Sequence, residues 1–81
     1  IKMFSIITRH NCSFCSMSKE LLYLYNRSYT EYNIESDKWK WILSMMKQAD
    51  FKTVPQIYSP DGSYIGGYED LVKYLKENQN G

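Results

Sequence analysis

The sequence predicts an α/β domain, a four-stranded mixed sheet flanked by three helices in the order β-α-β-α-β-β-α. Three observations lead there. Short β-branched and aromatic runs alternate with stretches whose apolar residues recur at helical spacing. Pro60-Asp61-Gly62-Ser63 and Gly66-Gly67 punctuate the last third of the chain. The only two cysteines, Cys12 and Cys15, stand two residues apart where the first strand ends and the first helix begins.

Taken in order, Met3–Thr8 reads as a buried strand. Phe14, Met17, Leu21, Leu22 and Tyr25 then fall at helical spacing. Asn26-Arg27-Ser28 breaks that pattern, and Tyr29–Ile34 is rich in strand formers. A strand, a helix and a strand of these lengths place the two strands parallel through a right-handed crossover. Ser36 can cap a second helix from about Asp37 to Gln48. Its expected stripe is Trp41, Ile42, Met45, Met46 and Ala49, packed on the sheet, with the methionines as core filling. Thr53–Tyr58 reads as a third strand, with Pro55 tolerated near its start because no ladder donor is needed there. Ser63–Ile65 returns antiparallel after the turn. Gly66-Gly67 makes a tight corner. The last helix runs from near Tyr68 to about Glu77, burying Leu71, Val72 and Leu75. Glu69 and Asp70 occupy its first turn, where the dipole favours them.

Eighty-one residues make a single domain, 1–81, with an adequate core. Ile1 and Lys2 are expected to be a remnant ahead of a native start at Met3, and residues 78–81 a frayed tail. At 43% hydrophobic and 16% aromatic, the composition is that of a folded chain. A net charge of +1 without a Lys/Arg run argues against a nucleic-acid partner. The longest apolar stretch, Leu21–Tyr25, is too short to span a membrane, and no signal peptide is visible. A disulfide closing over two residues restrains almost nothing. The cysteine pair is therefore expected to be an exchange-active dithiol in the cytoplasm.

The chemistry needs that placement. The thiolate is the nucleophile in disulfide exchange, and an unperturbed cysteine has a pKa of about 8.5. Unpaired N–H groups and the macrodipole at a helix start favour the anion. Cys12 is expected at the first helical position as the attacking thiol. Cys15, about one turn in and less exposed, is the resolving one. Arg9 and His10 add positive or polarisable groups. A structural zinc site needs about four ligands, and two cysteines with one histidine do not supply them, so no metal is expected.

Thr8–Cys15, Thr53-Val54-Pro55-Gln56 and Ile65-Gly66-Gly67-Tyr68-Glu69-Asp70-Leu71 together resemble the glutaredoxins over essentially the whole chain. The C-terminal third looks most like the small glutaredoxins of T4-type bacteriophages. The resemblance implies the thioredoxin fold and a glutathione-dependent thiol–disulfide oxidoreductase, with glutathione as co-substrate. Cys12 would attack a protein disulfide or a glutathione mixed disulfide, and Cys15 or a second glutathione would release the product. Pro55 would be cis and lie beside the dithiol, with Val54 pairing strand-like with the cysteinyl backbone of glutathione. Arg9 and Lys52 would hold the glycine carboxylate. Thr53 and Gly67 would line the same site. The helix start at Tyr68, Glu69 and Asp70 would receive the γ-glutamyl group, with Asp70 the favoured acidic contact. Phe14 keeps the aromatic platform of the common Cys-Pro-Tyr-Cys pattern without its hydroxyl, and Ser13 replaces its proline.

The implied partners are glutathione, disulfide-containing proteins such as a ribonucleotide reductase, and a glutathione or thioredoxin reductase system. The expected state is a monomer engaged in electron transport in the cytoplasm, a host's cytoplasm if phage-encoded, with neither nucleic acid nor membrane as partner. The alternative is an iron–sulfur carrier, a dimer bridging a cluster through Cys12 and two glutathiones.

Overall fold

The computed structural model describes residues 3–50 and 53–78. Strand β1 (Phe4–Thr8) alternates between fully and half-buried positions. Phe4, Ile6 and Thr8 thus face one side of the sheet and Ser5 and Ile7 the other. Helix α1 (Ser13–Leu24) follows, and β2 (Tyr29–Asn33) returns parallel to β1, with Phe4 opposite Tyr29 and Thr8 opposite Asn33. After α2 (Trp41–Gln48), β3 (Gln56–Tyr58) pairs antiparallel with the other edge of β1, setting Ile57 opposite Ile6. Strand β4 (Tyr64–Gly66) pairs antiparallel with β3 across a bulge at Ile57/Tyr58, and α3 (Tyr68–Glu77) closes the domain. The strand order is β2-β1-β3-β4, a mixed sheet with β1 inside it.

The alternation of β1 gives the domain two cores. Phe4, Ile6 and Ile57 pack with Leu22 of α1 and with Leu71 and Leu75 of α3. Ile6, Leu22, Ile57, Leu71 and Leu75 are all fully buried, each contributing roughly 1.5–3 kcal/mol. The opposite face is covered by α2, whose Ile42 and Met46 meet Ile34 and the partly buried Ile7, Tyr32, Trp39 and Val54.

Element order and strand directions agree with the sequence expectation, whereas several element ends and helix faces differ. Met3 is exposed and precedes β1, and Ile34 lies in the turn after β2. Strand β3 starts at Gln56 because Pro55 offers no N–H to the ladder. The Val54–Pro55 peptide is cis. Helix α2 starts at Trp41, four residues late. The Ser36 hydroxyl donates to the Asn33 carbonyl (3.0 Å) instead of accepting from the next turn. The Ser36 carbonyl receives the N–H groups of Trp39 and Lys40, so 36–40 is a set of turns leading into the helix. An eight-residue helix offers one i,i+4 pair to the sheet, here Ile42 and Met46. Trp41 and Met45 are consequently more than half exposed, and Ala49 is also outside.

Helix α1 likewise buries Cys15, Ser18 and Leu22, with Leu21 and Tyr25 partly buried against the core. Phe14 and Met17 are exposed, so the inward face is turned by about one residue from the expected one. Ser18 tolerates full burial because its hydroxyl donates to the Phe14 carbonyl at 2.7 Å. Val72 is only half-buried. Ile1, Lys2 and residues 79–81, named in the expectations about the termini, lie outside the described residues.

Candidate active site

Strand direction brings three junctions together. Strand β1 ends at Thr8 and leads to the start of α1. Antiparallel β3 begins at the same end of the sheet, and β4, antiparallel to β3, finishes there and leads into α3. The residues before α1, before β3 and before α3 therefore converge on one edge.

Cys12 is the N-cap of α1, not its first helical residue. Asn11 adopts a left-handed conformation (φ 53°) and Cys12 an extended one (φ −118°, ψ 104°). That turn swings the Cys12 sulfur over the helix start, where it accepts the Cys15 N–H at 3.1 Å. It occupies the place a serine or aspartate oxygen usually takes. The two cysteines are joined as a disulfide, with Cα atoms 5.2 Å apart. Cys12 is half-buried, and Cys15 is 2% exposed. Access thus differs between the two sulfurs, with Cys12 the more exposed.

The Val54 carbonyl oxygen lies 3.9 Å from the Cys12 sulfur. Beside it a groove of about 190 Å³ is lined by Phe14, Thr53, Val54, Pro55, Gly67, Tyr68, Glu69 and Asp70. Phe14 and Tyr68 face each other across its rim, with ring centroids 5.9 Å apart. Phe14 spends its exposure (53%) on this rim, which is why it is absent from the core. The hydrophobic spacing that suggested an inward Phe14 reflects the groove instead.

Asp70 does double work. Its Oδ2 accepts the Gly67 N–H at 3.2 Å, closing the start of α3. Gly66 makes this possible: it sits at φ +128°, and a Cβ there would come within 2.8 Å of the Asp70 Cγ. The remaining carboxylate oxygen and Glu69 give the groove its negative end. Arg9 is exposed and lines an adjoining cavity of about 280 Å³ with Cys12, Phe14, Thr53 and Val54. Lys52 lies outside the described residues.

On the other side of the dithiol is a polar cavity of about 620 Å³, which no sequence argument singled out. Cys12, Cys15, Lys19, Glu31 and His10 border it. Glu31 of β2 accepts the Thr8 hydroxyl at 2.6 Å and pairs with the Lys19 ammonium at 3.1 Å. Burial pushes the Glu31 carboxyl up, but the Thr8 hydroxyl and the Lys19 charge outweigh it and hold it below its ordinary value. The His10 N–H donates to the Glu35 carboxylate, and the His10 ring lies 3.4 Å from the Asn33 amide. One signal for this network was present in the sequence: Lys19 stands four residues after Cys15, on the same helical face.

Comparison with known proteins gives a family match. The family described as Glutaredoxin matches residues 1–65. The chain is 30% identical over 76 residues to the glutaredoxin of Enterobacteria phage T4, covering 83% of this chain and 87% of that protein. The solution structure of reduced Escherichia coli glutaredoxin superposes with a TM-score of 0.74 at 28% identity, covering 98% of this chain and 99% of that one. A buckwheat glutaredoxin–glutathione complex has the same fold, with a TM-score of 0.77 at 18% identity and coverage of 96% and 72%.

Proposed function

The chain belongs to the glutaredoxin family and is a thiol–disulfide oxidoreductase, and from that premise we propose that glutathione is its co-substrate. The observation that carries this reading is the position of the Val54 backbone beside the Cys12 sulfur, at the mouth of a groove with a helix start at its far end. The β1–β3 ladder stops at Ile7 and Gln56, so Val54 lies just beyond its end, while the Thr53 carbonyl accepts the Gln56 side-chain amide at 2.6 Å. A short extended peptide with a thiol in its middle suits that edge. Its sulfur would meet Cys12, one carboxylate the N–H groups at Tyr68, its ammonium the carboxylates of Glu69 and Asp70, and its far carboxylate Arg9. Lys52 is a second candidate for the far carboxylate. The buckwheat neighbour, solved as a glutathione complex, supports the assignment.

The reaction is a chain of thiolate displacements. The Cys12 thiolate attacks the glutathione sulfur of a mixed disulfide, and the substrate thiolate leaves. A second glutathione thiolate then attacks the Cys12-bound glutathione, giving oxidised glutathione and free Cys12. With a protein disulfide, Cys12 forms a mixed disulfide with the substrate, and Cys15 displaces it to give the Cys12–Cys15 disulfide found here. Protein disulfides in the cytoplasm, that of a ribonucleotide reductase among them, are the proposed acceptors, and a monomer suffices.

The test is turnover of a small glutathione mixed disulfide with NADPH, reduced glutathione and glutathione reductase. Glutathione-dependent turnover is expected. Turnover only when thioredoxin reductase replaces glutathione and its reductase would overturn the choice of co-substrate.

A further inference from the structure

The polar cavity behind the dithiol bears on the second thiol. Cys15 is almost wholly buried, and burial alone disfavours a thiolate. Its displacement step nevertheless needs one. The start of α1 helps Cys12 first, since Cys12 is the residue that caps it. Another source of positive charge is needed for Cys15.

Lys19 is placed to supply it. It stands one turn beyond Cys15 on α1, and helical side chains lean toward the N-terminus, so its stem runs back over the Cys15 position. Cys15 and Lys19 border the same cavity. Glu31 Oε1 and Oε2 accept from its ammonium at 3.3 and 3.1 Å, and Glu31 in turn accepts the Thr8 hydroxyl. The other ionisable groups lining the cavity are Arg9 and His10 from the loop before α1, with Cys12 itself. Neither Arg9 nor His10 lies on the helix that carries Cys15.

We propose that Lys19, pinned by Glu31 and Thr8, is the electrostatic partner of Cys15 and favours its thiolate in the resolving step. In that step the Cys15 sulfur attacks the Cys12 sulfur of a mixed disulfide. The Cys12–Cys15 bond forms, the bond to the bound thiol breaks, and the electron pair leaves on that thiolate. The proton lost from Cys15 passes to water in the cavity. The inference rests on the oxidoreductase reading but not on glutathione as co-substrate.

A reaction with an aromatic disulfide, 5,5′-dithiobis(2-nitrobenzoic acid), separates the two thiols. Reduced protein releases one coloured thiolate when Cys12 attacks, at a rate proportional to reagent. It releases a second, at a rate independent of reagent, when Cys15 displaces the one held on Cys12. Lys19→Gln is expected to leave the first phase unchanged and to slow the second about threefold near neutral pH, moving its pH profile to higher pH. The figure follows from a shift of about one pKa unit, tenfold in thiolate, offset by the higher nucleophilicity of a more basic sulfur. Lys19→Arg should restore the second phase. A second phase indifferent to Lys19→Gln, or a loss shared equally by both phases, overturns the proposal. Absence of any second phase in the unaltered protein instead overturns the resolving role of Cys15, and the proposal with it.

Discussion

The Cys12 sulfur and the Val54 carbonyl oxygen are 3.9 Å apart, although 42 residues separate them in the chain. The contact joins the end of one strand to the start of its antiparallel neighbour. On the proposed glutathione reading, it sets where the substrate sulfur would approach and which backbone the tripeptide would lie along.

The unequal access of the two sulfurs predicts unequal consequences of removing them. Cys12→Ser abolishes every exchange reaction. Cys15→Ser keeps turnover of glutathione mixed disulfides and loses reduction of protein disulfides that need two thiols. Steady-state assays on the two substrate types decide this. Equal inactivity of both variants toward the glutathionylated substrate would refute the division of labour.

Arg9 is exposed beside Cys12 and Val54, so its loss should be felt in binding and not in folding. A partly exposed charge-assisted contact is worth about 1 kcal/mol, roughly fivefold in affinity. Arg9→Ala is expected to raise KM for the glutathione substrate by about that factor, with kcat little changed and less dependence on salt. An unchanged KM in the Arg9→Ala, Lys52→Ala double variant would remove both from the site.

Gly66 and Asp70 should behave as one unit. Gly66→Ala forces a side chain into the φ +128° region and against the Asp70 carboxylate. A cost of about 2–3 kcal/mol is expected, read as a lowered urea midpoint. Asp70→Ala in the same chain removes the carboxylate clash but leaves its Cβ 3.0 Å from the added one, along with the backbone strain, so recovery should be partial. Full recovery would show that the contact alone was at fault.

Glu31 predicts a pH-dependent stability. Its carboxyl is held below the ordinary value of 4.5, so the folded state favours the charged form. The resulting stabilisation is present above that value and is lost as pH falls through the folded one. Glu31→Gln should therefore cost about 1 kcal/mol at pH 7, and the gap from the parent should close in acid. A gap that persists unchanged at pH 3 would assign the loss to packing and not to charge.

Much of this was legible in the chain. The order of elements followed from periodicity, the parallel crossover from the length between the first two strands, and the dithiol from two cysteines at a strand–helix junction. What could not be read was the azimuth of each helix. Phe14, Met17, Trp41 and Met45 have the spacing of core residues yet point outward, because each helix meets the sheet along a strip narrower than its apolar stretch. The Lys19–Glu31–Thr8 network was hidden for another reason. Its members come from α1, β2 and β1, and only the parallel pairing of the two strands sets Glu31 within reach of Thr8. Asp70 was read as dipole-favoured from its place in the first turn and as a ligand contact from the family resemblance, whereas its closing of the α3 start depends on the conformation of Gly66.

Helix α1 begins at a sulfur atom, and that atom is also the one that reacts. The Cys15 N–H is held by Cys12 Sγ in the bridged form. A free thiolate there would be a stronger acceptor, and on the proposed reading a sulfur carrying glutathione would turn toward the groove. Each stage of turnover thus presents a different acceptor to one backbone proton. The Cys15 amide should therefore act as a gauge of the cycle, with its proton resonance and its exchange with solvent expected to change as the sulfur passes from bridge to thiolate to adduct.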